Sequence, residues 1–128
     1  MPKHVIRSDR GAPPVGAYSQ GWRAGDFIFV TGTGPIGPEG QLRGDTIEEQ
    51  THQTIDNIEA ILQAGGASLA DVVKVNVYLG DTGSFPRFNA AYKERFAEPY
   101  PVRTTVGSDL RHFPGMQVEI DCIAYVGE

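Results

Sequence analysis

Arg103 is the residue of this chain whose type and setting most clearly ask for chemistry. It stands in Pro101-Val102-Arg103-Thr104-Thr105-Val106, a run of β-branched residues entered through a proline and left through Gly107. Side chains alternate along a strand, so Val102, Thr104 and Val106 point one way and Arg103 and Thr105 the other. A guanidinium stays charged and is costly to bury without a partner. Arg103 therefore calls for an anion, either a carboxylate of this chain or one on a ligand. Glu119 and Asp121 are the candidates within the chain, alternating with Val118, Ile120 and Cys122 near the C-terminus. If the two strands lie near one another, the side chains of Arg103 and Glu119 project from a similar level of the sheet. Two readings follow. Arg103 makes a structural salt bridge to Glu119 or Asp121, or it grips a ligand carboxylate through a bidentate charged pair while Glu119 handles protons or water.

Other candidates are weaker. His4, His52 and His112 have no i,i+4 or cysteine-rich partner, which argues against a metal site. Cys122 falls among apolar alternation and reads as a packed small hydrophobe rather than a nucleophile. Gly32-Thr33-Gly34-Pro35-Ile36-Gly37 fits G-x-G-x-x-G, but Pro35 interrupts it and no helix opens on its glycines, so it reads as a turn. Such a turn can still line a pocket with bare N–H groups. Tyr18, in the glycine-bounded Gly16-Ala17-Tyr18-Ser19-Gln20-Gly21, is either a packing or a site tyrosine. Eleven Lys plus Arg against sixteen Asp plus Glu leave −5, which argues against general phosphate-backbone binding. One cysteine permits no intrachain disulfide and fits a reducing compartment. No apolar run has the length of a membrane span, and Met1-Pro2-Lys3-His4 lacks the apolar stretch of a signal peptide. The expected location is the cytoplasm.

The elements that must position these residues follow from periodicity. Residues 1–128 are expected to form one domain. Residues 3–7 read as an edge strand, and 19–23 and 27–31 as a hairpin turning at Ala24-Gly25-Asp26. Thr46 and Glu49 form a capping box, and Ile47, Thr51, Thr54, Ile55, Ile58, Ile61 and Leu62 make one helical stripe ended by Gly65-Gly66. His52, Asp56 and Glu59 lie outside that stripe and read as solvated. Val72 to Leu79 is a strand, with Val73, Val75, Val77 and Leu79 on one face and Val72, Lys74, Asn76 and Tyr78 on the other. A second helix is expected over 85–97, capped by Ser84 and carrying Phe85, Phe88, Tyr92 and Phe96. A last strand covers 116–126. The economical architecture is α+β, a sheet with two helices on one face. The other face mixes Tyr78, Tyr125, Ile123 and Val72 with Lys74, Asn76, Glu119 and Asp121. That mixture resembles a protein–protein interface, so sites between subunits are expected.

Gly16–Gly21, Phe29-Val30-Thr31-Gly32, Asn57-Ile58-Glu59-Ala60-Ile61-Leu62, Phe88-Asn89-Ala90-Ala91-Tyr92, Pro101–Val106 and Val118–Ala124 follow one another as they do in the RidA/YjgF family of reactive-intermediate (enamine/imine) deaminases, which the chain resembles over nearly its whole length. The resemblance implies a chorismate-mutase-like α+β domain with a mixed five- to six-stranded sheet. It also implies a homotrimer whose sheets pack inward as a barrel, with clefts between subunits. Arg103 matches the arginine that binds the substrate carboxylate, and Glu119 the glutamate that positions water. Tyr18, Thr31, Gly32 and Asn89 match cleft positions. Thr105 stands where many members have cysteine, and Thr33 replaces a frequent glutamine. The implied reaction is hydrolysis of short 2-imino acids, from enamines such as 2-aminoacrylate, to 2-keto acids and ammonia, with no metal or organic cofactor. The ligand would be a small 2-imino or 2-keto acid. A ribonuclease or translation-inhibiting RNA binder, or a non-catalytic metabolite-binding protein, are the rival readings.

Overall fold

Thr46 opens the longer helix as its spacing predicts. In the computed structural model, which describes residues 2–127, the Thr46 hydroxyl accepts from the Glu49 N–H and the Glu49 carboxylate accepts from the N–H groups of Asp45 and Thr46. Met1 and Glu128, the ends of the expected domain, lie outside the described residues. Helix α1 (Ile47–Ala64) buries its predicted stripe from Ile47 to Leu62. It ends at Gly65 and Gly66, the latter at φ 88°, a left-handed conformation that favours glycine.

The strands are β1 (Lys3–Ile6), β2 (Gly21–Ala24), β3 (Phe27–Thr33), β4 (Val72–Leu79), β5 (Val102–Gly107) and β6 (Val118–Tyr125). They form one mixed six-stranded sheet in the order β1-β2-β3-β6-β4-β5, and only the β4–β5 pair is parallel. Gly25, at φ 60°, turns the β2–β3 hairpin. Helix α2 (Phe85–Lys93) is shorter than the predicted 85–97. Glu94 and Arg95 donate to carbonyls three residues back, so the helix tightens and stops, while Phe96 still stacks on Tyr92 at 4.6 Å. Ser84 makes no side-chain cap. A 3₁₀ turn over Thr82–Ser84 runs straight into α2, and Ser84 already has helical angles (φ −82°, ψ −1°) where a cap requires an extended residue. Its hydroxyl donates to the Asp81 carbonyl instead.

Both helices lie on one face of the sheet, over Ile28, Val30, Val75, Val77, Leu79, Val118, Ile120, Cys122 and Ala124. One expected assignment is reversed: Val72 is buried and Val73 is 45% exposed. The β4–β6 register slips between Val72 and Lys74, and the extra residue exchanges the two valines before the alternation resumes. The helix surface is also less bare than expected. Arg95 donates to Asp56 at 2.7 Å and to the His52 carbonyl at 3.0 Å, and His52 Nε2 lies 3.7 Å from Glu94, tying α1 to the end of α2.

Among the described residues, no helix covers the other face of the sheet. Trp22, Phe27, Phe29, Val102, Val106 and Tyr125 stand on it, 37% to 65% exposed. Between these apolar edges lie Asn76, Tyr78, Glu119 and Asp121.

Candidate active site

Arg103 pairs in register with Val75, whose side chain is fully buried under the helices. Neighbours in register share a face, so Arg103 turns towards α2. There the guanidinium carbon sits 4.7 Å from the ring centre of Tyr92, 5.5 Å from Phe85 and 5.8 Å from Phe88. Nη1 donates to the Asn89 carbonyl oxygen at 2.8 Å. Residues three and four apart on a helix share a face, so the spacing 85, 88, 89, 92 builds this bracket from a single element. The rings hold the guanidinium by cation–π attraction without satisfying its N–H groups. Arg103 forms no ion pair among the described residues, so the salt bridge to Glu119 or Asp121 is not made.

A cleft of about 540 Å³ opens beside the bracket, lined by Asn89, Tyr92, Tyr100 and Arg103 among others. Thr105 faces the same side as Arg103. Its hydroxyl and that of Tyr92 are buried without a hydrogen-bond partner among the described residues. Burial pushes the Tyr92 hydroxyl up to about 12, against the opposing pull of Arg103, so it stays neutral at physiological pH.

Glu119 lies elsewhere. Strand β4 separates β5 from β6, and Glu119 pairs in register with Tyr78, on the helix-free face. Arg103 lies in register, through Val75, with Cys122 rather than with Glu119. Arg103 and Glu119 therefore stand on opposite faces and at different levels of one sheet, which corrects the expectation that they project together. Sequence alternation places residues within a strand but not the strand order between them.

The Glu119 carboxylate rests on Gly32. A Cβ at Gly32 would lie 2.6 Å from Glu119 Oε2, so only glycine fits without displacing the acid. The β3–β6 register slips between Val30 and Thr33, which takes Thr31 and Gly32 out of the ladder. The Thr31 N–H bonds instead to the Gln20 carbonyl at 2.9 Å. The buried Thr33 hydroxyl donates to the Thr31 carbonyl at 2.7 Å. Burial raises the pKa of Glu119, nearby His112 lowers it, and the charge of Asp121 raises it. Asp121 is otherwise engaged, accepting from Asn76 Nδ2 at 2.9 Å and from the Tyr78 hydroxyl at 3.0 Å.

The predicted site residues thus fall into two groups. Arg103, Asn89 and Thr105 come together beside α2. Thr31, Gly32 and Glu119 come together on the open face. Tyr18 joins neither by a hydrogen bond among the described residues: its hydroxyl accepts from the Val15 N–H at 3.0 Å. Two contributors escaped the sequence. The aromatic positions of α2 were legible only as core, although Asn89 and Tyr92 at i,i+3 are the signal that they share a face. His112, which has no metal-ligand partner in the sequence, has its Nε2 3.9 Å from Glu119 Oε1. Among the described residues, no three His, Cys, Asp or Glu side chains gather as a metal site.

Chemically, one group offers a carboxylate anchor and the other a partly desolvated acid–base group. A RutC family protein of Pyrococcus abyssi is 45% identical over 127 residues, covering 98% of each chain. A protein of Dermatophagoides farinae named 2-iminobutanoate/2-iminopropanoate deaminase is 32% identical, again over 98% of each chain. The crystal structure of RidA from an Antarctic Psychrobacter superposes with a TM-score of 0.90 at 36% identity, covering 96% of this chain and 99% of that one. Residues 10–126 match the family described as endoribonuclease L-PSP, and with the shared fold this places the chain in that family, to which the RidA/YjgF proteins belong.

Proposed function

We propose that the chain is a cofactor-independent hydrolase of short 2-imino acids, acting as a homotrimer with its sites between subunits. The observation that carries this is Arg103: a cation bracketed by three rings, bonded once to Asn89, and paired with no carboxylate among the described residues. Such a group is organised in advance for a ligand carboxylate. Glu119, on the opposite face of the same sheet, is out of its reach within one subunit. The bare apolar face around Glu119 suits a second copy, whose edge strand β5 would deliver Arg103 to Glu119. The D. farinae relative's name supports the substrate class.

In the reaction, Arg103 holds the carboxylate and thereby fixes C2. Glu119 takes a proton from water as the water oxygen bonds to C2 of the protonated imine, giving a carbinolamine. Glu119 returns that proton to the nitrogen. The C2–N bond breaks with its electrons on nitrogen, releasing ammonia, and the hydroxyl proton passes by way of Glu119 to that ammonia as the keto group forms. One iminium acid and one water yield one 2-keto acid and one ammonium ion.

The test is keto-acid release from enzymatically generated 2-aminoacrylate or 2-iminobutyrate. Arg103→Ala is expected to lower kcat/KM by the equivalent of about 2–4 kcal/mol, the loss of a charge-assisted pair. Light scattering is expected to give three times the 13.9 kDa chain mass, and a monomer would overturn the inter-subunit site. The family's description favours RNA cleavage as the second reading. Ribonuclease activity that survives repurification and vanishes in Arg103→Ala would support it.

A further inference from the structure

We infer that His112 is a positioning residue for Glu119, holding the carboxylate over Gly32 and keeping it ionised from the loop before β6. This rests on the reading of Glu119 as the water-activating group. His112 Nε2 stands 3.9 Å from Glu119 Oε1, and no hydrogen bond reaches the Glu119 carboxylate among the described residues. The acid is largely enclosed, with 26% of its side chain exposed, whereas the imidazole is 63% exposed.

The loop that carries His112 is anchored on both sides of it. Leu110 and Met116 are buried, and the Phe113 and Met116 N–H groups close two turns. The almost fully buried Gln50 fixes the far end, donating to the Gly115 carbonyl at 2.9 Å and accepting from the Gln117 N–H at 2.8 Å. His112 is therefore delivered to Glu119 by a braced segment.

The other charges around the pair are few. Asp121, on β6 itself, opposes ionisation of Glu119 and is bonded to Asn76 and Tyr78 of β4. Tyr78 is raised by its bond to Asp121 and stays neutral. Thr31 and Gly32 of β3 bring no charge. In the loop, Asp109 is paired with Arg111 at 2.7 Å. In the proposed trimer, Arg103 of a second copy adds a cation. Within one subunit, among the described residues, His112 is the group that offsets burial and Asp121 at Glu119.

The experiment follows the Glu119 carboxyl directly by ¹³C NMR titration, its resonance identified by loss in Glu119→Gln. His112→Gln is expected to raise its apparent pKa, because the group that lowers it from 3.9 Å away is removed. His112→Lys, which keeps a cation, is expected to leave it near the wild-type value. With imine substrate, the acidic limb of the kcat profile is expected to move up by the same amount in His112→Gln while KM, set by Arg103, holds. A Glu119 resonance that titrates identically in wild type and His112→Gln overturns the inference, whether or not the protein turns over imines. A shifted carboxyl in a protein without turnover sinks the deaminase reading and leaves the coupling of His112 to Glu119 standing.

Discussion

Glu119 is a carboxyl that folding disfavours in its charged form. Its pKa is raised by burial, so the folded chain binds its proton more tightly than the unfolded chain does. The contribution to stability is then full below the ordinary carboxylate range and declines as pH rises through the raised value. Glu119→Gln is expected to raise the stability at pH 7, with the gain shrinking at pH 4 and activity lost throughout. Calorimetry at the two pH values checks this, and a lower melting temperature at pH 7 would contradict it. Thr105 makes a related case. Its buried hydroxyl has no partner among the described residues, and an unpaired buried hydroxyl costs about 1–3 kcal/mol. Thr105→Val keeps the shape and removes the orphan. It is expected to melt higher and, if the hydroxyl serves the ligand, to raise KM several-fold with kcat little changed. At this scale Arg103 was legible, because a mid-strand guanidinium advertises its need for an anion. The demand for glycine at position 32 was not, because it depends on a carboxylate far along the chain.

At the scale of elements, local signals served best where one element explains itself. The Thr46–Glu49 capping box and the α1 stripe stand as spaced in the sequence. Thr46→Ala is expected to cost about 1 kcal/mol in chemical denaturation while leaving turnover unchanged, since α1 carries no site residue. Where a neighbour decides, the sequence was silent. Val72 and Val73 are chemically the same, and only the slip against β6 chooses which is buried. The end of α2 and the idle Ser84 hydroxyl depend likewise on the 3₁₀ turn that precedes the helix. The aromatic bracket has the same lesson. Phe85, Phe88 and Tyr92 looked like core from their spacing, and they are core; their second role appears once β5 is laid against them.

At the scale of the whole molecule, one subunit displays Arg103 and Glu119 on opposite faces of its sheet. Strand order is a long-range property that alternation does not encode, which is why Arg103 and Glu119 looked adjacent on paper. The bare face with Trp22, Phe27, Phe29 and Tyr125 is where the sequence already suggested a partner. A surface this apolar on a free chain invites association.

Opposite faces also make a genetic statement. If each cleft draws its cation from one chain and its acid from the next, Arg103→Ala and Glu119→Gln damage different halves of it. Each protein alone has no whole cleft. Unfolded together and refolded as mixed trimers, they place an intact Arg103 beside an intact Glu119 in one cleft of three. Intersubunit complementation of about one third of wild-type activity per mixed trimer is therefore expected from two dead parents, read as keto-acid release before and after mixing. Parents that stay dead when mixed trimers are demonstrably formed would mean that each subunit completes its own chemistry.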